Sequence, residues 1–103
     1  MPTAYVTAPP EAAPELAKTL VEERLAACVN RFDCRSTFRW DGDVVAEDEV
    51  ILLAKTTDAG YGELESRIAE LHPYDVPCIE RFDEDAVLPA FGEWVAESVD
   101  SGK

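Results

Sequence analysis

The stretch Ser36-Thr37-Phe38-Arg39-Trp40-Asp41-Gly42-Asp43-Val44-Val45-Ala46-Glu47-Asp48-Glu49-Val50-Ile51-Leu52-Leu53-Ala54-Lys55-Thr56-Thr57 decides the fold. Its first five residues alternate in polarity, as a half-buried strand does. Asp41-Gly42 then interrupts, and Gly accepts positive φ at no steric cost, so the pair predicts a tight hairpin. Glu49 to Thr56 returns as the partner strand. Its run Val50-Ile51-Leu52-Leu53-Ala54 is apolar without alternation, which predicts burial on both faces.

Outward from the hairpin, the pattern changes period. Leu25-Ala26-Ala27-Cys28-Val29 is apolar throughout and begins the hairpin's first long strand. Before it, Ala13, Leu16, Ala17, Leu20, Val21 and Leu25 recur at helical spacing, predicting an amphipathic helix of about four turns. Pro9 and Pro10 punctuate its approach, and Thr3 to Thr7 is a short β-prone segment. After the hairpin, Leu64, Ile68 and Leu71 mark a second helix that ends before Pro73. Val76 to Phe82 reads as a fourth strand, and Phe91, Trp94, Val95 and Val99 mark a terminal helix. The order β-α-β-β-α-β-α predicts an α+β, ferredoxin-like βαββαβ sandwich with an extra C-terminal helix. Two helices then cover one sheet face. The other needs a cover from the last helix or from other subunits.

The chain has 103 residues, the size of one domain, and no linker or repeat divides 1–103. A core this small is modest, so association of subunits would help it. Twenty-two acids against nine bases give a net charge of −13. That argues against nucleic acid, whose affinity rests on Lys and Arg neutralising phosphates, and against an anionic membrane surface. The surplus of acid, with three lysines, reads as adaptation to a salty cytoplasm, where charge is screened within roughly 3 Å at 1 M salt; a docking surface for a cationic partner is the alternative. Three cysteines, Cys28, Cys34 and Cys78, make a poor disulfide framework. With no signal-peptide pattern and no apolar run near the ~20 residues of a membrane span, the expectation is a reduced cytoplasmic protein.

The only histidine lies in His72-Pro73-Tyr74-Asp75-Val76-Pro77-Cys78. The two prolines fix φ and stiffen the segment. A stiff backbone carrying an imidazole, a carboxylate and a thiol suggests a site.

Four segments together resemble the CutA divalent-cation tolerance family. Leu25-Ala26-Ala27-Cys28-Val29-Asn30 resembles its LAACVN motif, and Phe38-Arg39-Trp40-Asp41-Gly42 its aromatic hairpin. Glu49 to Thr57 is similar to its third strand, and His72 to Pro77 to its HPYEVP motif; Trp94 falls where the family has a helical tryptophan. The resemblance implies a tight homotrimer with P-II-like architecture, cytoplasmic, linked to tolerance of divalent metals such as copper, without an assigned reaction or organic cofactor. Two positions depart from the family: Asp75 replaces a Glu, and Cys78 stands where an acid is usual.

Copper(I) and zinc favour thiolate and imidazole, which nominates Cys28, His72 and Cys78 as a metal set. In the expected sandwich the first and fourth strands flank the central hairpin, so the three could meet across strands or across a subunit boundary. The competing readings are core packing for Cys28 and Cys78 and a helix C-terminal role for His72. Cys34, in the polar Asp33-Cys34-Arg35, is expected to be an exposed thiol. Trp40, Lys55, Tyr74 and Asp75 are candidates for a ligand cleft or subunit contact. Lys55 ends an apolar strand and needs either an ion pair or an anion. The rival function is therefore a P-II-like signalling module that binds a small anionic ligand at Lys55 between subunits. A Cys-His nucleophile built from Cys28, His72 and Asp75 has no spacing to select it, and no Gly-rich phosphate loop exists, so no enzyme is expected.

Overall fold

The computed structural model describes residues 1–99. The last four residues of the expected 1–103 domain lie outside them. Its elements are β1 (Pro2–Ala8), α1 (Ala13–Glu22), β2 (Cys28–Trp40), β3 (Asp43–Lys55), α2 (Tyr61–Leu71), β4 (Ile79–Asp83) and α3 (Pro89–Ser98). The four strands form one antiparallel sheet in the order β2-β3-β1-β4. This is the expected βαββαβ sandwich with an added helix.

The hairpin forms where the sequence placed it. Trp40 pairs with Asp43, and Asp41 (φ 51°) and Gly42 (φ 84°) supply the two left-handed residues that a tight two-residue turn requires. The returning strand starts at Asp43, six residues before the expected Glu49, because the ribbon pairs along its whole length.

The core is built by alternation. Ala4, Val6 and Ala8 on β1 face the helices, as do Val50, Leu52 and Ala54 on β3. Leu16, Ala17 and Leu20 of α1 and Leu64 and Ile68 of α2 pack onto them. The odd-numbered partners of β1 and β3, Tyr5, Thr7, Ile51 and Leu53, point to the other sheet face and are only partly buried. The expectation that Val50 to Ala54 is buried on both faces therefore fails within one subunit: α1 and α2 cover one face only.

Three further boundaries move. α1 ends at Glu22, short of Leu25, because Arg24 turns left-handed (φ 61°). The amide of Arg24 donates to the carbonyl of Val21 and that of Leu25 to Leu20, a closed C-terminal cap. Leu25 to Ala27 consequently forms a connection, and β2 starts at Cys28. The fourth strand starts at Ile79 rather than Val76, beyond Pro77. It also pairs with β1 and not with the hairpin, so β1 is central and β2 and β4 are the edges. α3 docks elsewhere: Val95 and Val99 pack with Ala27 and Met1 in a small separate cluster.

Candidate functional site

The uncovered sheet face carries three of the candidate residues, Cys28, Trp40 and Lys55. Strand pairing places Cys28, Phe32, Cys34, Phe38 and Trp40 of β2 beside Lys55, Ile51, Glu49, Val45 and Asp43 of β3. Tyr5 of β1 and Glu80 and Phe82 of β4 share that face. Phe32 and Phe82 are 49% and 48% exposed, and the Phe82 ring stacks on Tyr5 at 5.4 Å. Burial pushes the Tyr5 hydroxyl above its ordinary value, and Cys78, Cys34, Glu80 and Glu49 add to the shift.

Cys28 is the first residue of β2 and pairs with Lys55, the last of β3. Burial raises its thiol pKa, and the nearby Lys55 ammonium works against that rise. Cys34 is partly buried rather than exposed as expected, because β2 turns it onto the open face; its Sγ lies 3.8 Å from Ser36 Oγ. Cys78 is exposed and precedes β4, so the core-packing alternative does not describe it. All three cysteines are free. Trp40 stands 63% exposed at the hairpin's end, and Asp75 is exposed in the loop after α2.

His72 caps α2 and is 7% exposed. Its Nε2 lies 2.7 Å from the carbonyl oxygen of Thr7, and the backbone N–H of Tyr74 donates to Nδ1 at 3.2 Å. A carbonyl only accepts and an amide only donates, so the geometry selects the neutral imidazole protonated at Nε2. Both nitrogens are occupied, which makes His72 a staple between β1 and the proline-bracketed loop. Tyr74 extends the staple. Its ring lies 4.8 Å from the imidazole, and its hydroxyl donates to Glu49 Oε2 at 3.1 Å. Burial and that hydrogen bond push the Tyr74 pKa up to about 12.

Glu49 is the residue that sequence reasoning missed. It is 6% exposed, a buried acid on an otherwise apolar stretch of strand. Its signal was the alternation Glu49, Ile51, Leu53, Lys55, which assigns all four to one face.

The three nominated metal donors do not meet within a subunit. Cys28 lies level with Thr3 and Lys55, whereas His72 is tied to Thr7. Four strand residues separate those levels, roughly 13 Å. Among the described residues no group of three or more His, Cys, Asp or Glu side chains is placed to hold a metal ion. The same separation keeps Cys28 and His72 from acting as a nucleophile and its base.

Among the described residues no helix is long and apolar enough to cross a membrane. The family model for the CutA1 divalent ion tolerance protein matches residues 3–98. The divalent-cation tolerance protein CutA of Pyrococcus horikoshii is 43% identical over 94 residues, covering 90% of this chain and 92% of the relative. A structure described as the PII-like protein CutA from Nostoc sp. superposes with a TM-score of 0.94 at 36% identity, covering 97% and 98% of the two chains. Another, described as the periplasmic divalent cation tolerance protein CutA from Archaeoglobus fulgidus, gives 0.91 at 36% identity over 97% and 100%. With the sandwich, the stapled His72 loop and the Asp41-Gly42 hairpin all in place, the chain belongs to the CutA1 divalent ion tolerance family.

Proposed function

We propose that this protein works in divalent-cation tolerance as a homotrimer whose open sheet faces meet, and that it binds a soft metal ion through thiols on that face. The carrying observation is the open face itself: Cys28 and Cys34 lie on it beside half-exposed Phe32 and Phe82, and the exposed Cys78 directly precedes β4 at its edge. Two-stranded ribbons are marginal alone, and the hairpin beyond Val50 has no third strand in its own subunit, which supports a cover from other copies. Donors too far apart in one subunit can be completed by a neighbour's across such an interface. His72 has a positioning role in this reading, since both its nitrogens are spent. Three free thiols favour a reducing compartment, and we place the protein in the cytoplasm although the Archaeoglobus relative is described as periplasmic.

The test is calorimetry with copper(I) and zinc on the wild type and on the Cys28→Ser, Cys78→Ser variant. The wild type should bind and the variant should lose about tenfold or more in affinity. Equal binding by both removes the thiol set.

A second reading has its own support. Lys55 ends β3 on the same open face, and the Nostoc neighbour is described as PII-like. In that reading a small anion sits at Lys55 between subunits, and phosphate binding should be lost on Lys55→Met.

A further inference from the structure

His72 joins two parts of the fold through one buried ring. Nε2 donates to the Thr7 carbonyl of β1 at 2.7 Å, and Nδ1 accepts from the Tyr74 amide at 3.2 Å. The bond to β1 survives protonation, because a carbonyl accepts from a neutral or a charged N–H alike. The bond to Tyr74 does not. An imidazolium carries a hydrogen on Nδ1, which then faces the amide hydrogen. A proton on His72 therefore breaks the contact on one side only.

On that side lies a loop with few other ties. Residues 73–78 connect α2 to β4, and Val76 among them is 88% exposed. Tyr74 ties the loop down twice: its amide meets His72, and its hydroxyl donates to Glu49 Oε2 at 3.1 Å. The two ties are coupled. Pro73, between His72 and Tyr74, has its φ fixed, which leaves the Tyr74 amide little room to turn away without moving the ring. Loss of the amide contact thus draws the Tyr74 ring off the imidazole, 4.8 Å away between centroids, and off Glu49.

The charged groups around this corner are acids. Glu49 and Glu47 of β3 and Glu11, ahead of α1, act electrostatically on the Tyr74 hydroxyl, and Asp75 follows it in the loop. On α2, Glu70 and Arg67 hold each other at 3.5 Å. β1 carries no charged side chain. A charge on the ring meets acids here and no unpaired base, so the cost of protonation falls on the Tyr74 contact.

We propose that His72 is a proton-operated latch: the neutral ring holds the loop 73–78 closed on the sheet, and a proton on Nδ1 releases it while Nε2 keeps its hold on β1. Closure needs the neutral ring, so it is complete at alkaline pH and is lost as the ring takes up a proton on acidification. Release frees the approach to β4, with Cys78 at its end. The latch is independent of both the metal and the anion readings.

His72 is the only histidine, so NMR of protein labelled at the histidine ring nitrogens reports one residue. The full chain is titrated in molar KCl from about pH 8 to about pH 5, the interval in which histidine changes charge, and amide hydrogen exchange is read on the same samples. The ring should pass from the Nε2–H tautomer to the doubly protonated form. Protection of the Tyr74 amide should fall about tenfold or more over the same steps, with Leu52 in the core unchanged. In His72→Gln, which has no proton to gain, Tyr74 protection should not depend on pH over this interval. A ring that stays neutral at the acid end, or that is protonated while Tyr74 keeps its protection, overturns the latch. So does an equal pH dependence in His72→Gln, which moves the switch to Glu49. Should that variant not fold, the wild type alone decides. Tyr74 protection lost at a different pH from ring protonation contradicts the proposal, as does Leu52 losing protection in step, which is global unfolding.

Discussion

His72 shows why residue chemistry alone misleads. An isolated imidazole between prolines reads as a ligand, yet the fold spends Nε2 on Thr7 and Nδ1 on Tyr74. Nothing in the linear sequence states that Thr7 is sixty-five residues away in sequence but adjacent in space. Tyr74 carries the sharpest consequence. Its folded pKa, about 12, lies above the ordinary tyrosine value near 10, so folding favours the neutral hydroxyl. That contribution is complete below pH ~10 and is lost as pH rises through about 12. In Tyr74→Phe a tyrosinate absorbance titration should lose its latest-rising step. Glu49, deprived of its donor, should cost about 1 kcal/mol at neutral pH by denaturant unfolding. An unchanged titration curve contradicts the bond.

At the scale of elements, what was legible followed from periodicity. The Asp41-Gly42 turn, the two amphipathic helices and the order of elements along the chain could all be read because apolar spacing and turn chemistry are local signals, whereas the place of the fourth strand beside β1 could not. Boundaries were less legible, since they depend on backbone geometry. α1 stops at Glu22 although Leu25 keeps the helical spacing, because a left-handed Arg24 closes the cap and sends Leu25 into the core by another route. That conformation costs a non-glycine residue about 1 kcal/mol. Against it, Arg24 Nη2 donates to the Glu97 carbonyl on α3 at 3.0 Å, an exposed tie. Exposed ties to a charged group return less than that. Arg24→Gly should therefore raise the melting temperature slightly, and a lowered one would show that the α3 tie dominates. The candidate metal set was the least legible part. Which donors converge depends on strand register, and register separates Cys28 from His72 by the length of the sheet's centre.

The whole molecule has a net charge of −13, and three of its six arginines pair with acids. Arg35 meets Asp48, Arg67 meets Glu23 and Glu70, and Arg81 meets Asp58 and Asp83. The remaining acids repel one another wherever salt does not screen them. We expect the melting temperature to rise between dilute buffer and molar KCl; a flat or falling trend removes the inference of salt adaptation. Charge bears on assembly too, since copies of an acidic chain associate only if the contact buries enough apolar surface. The open face offers Phe32, Phe82, Ile51 and Leu53 for that purpose. This is the central claim: the half-covered sheet of one subunit is completed by other copies of the chain. Sedimentation equilibrium in molar KCl tests it most directly, on the wild type and on the Phe32→Asp, Phe82→Asp variant. The account predicts a mass of three chains of 11.3 kDa for the wild type and a shift toward single chains for the variant. A wild type that sediments as single chains, or a variant that remains fully assembled, contradicts it.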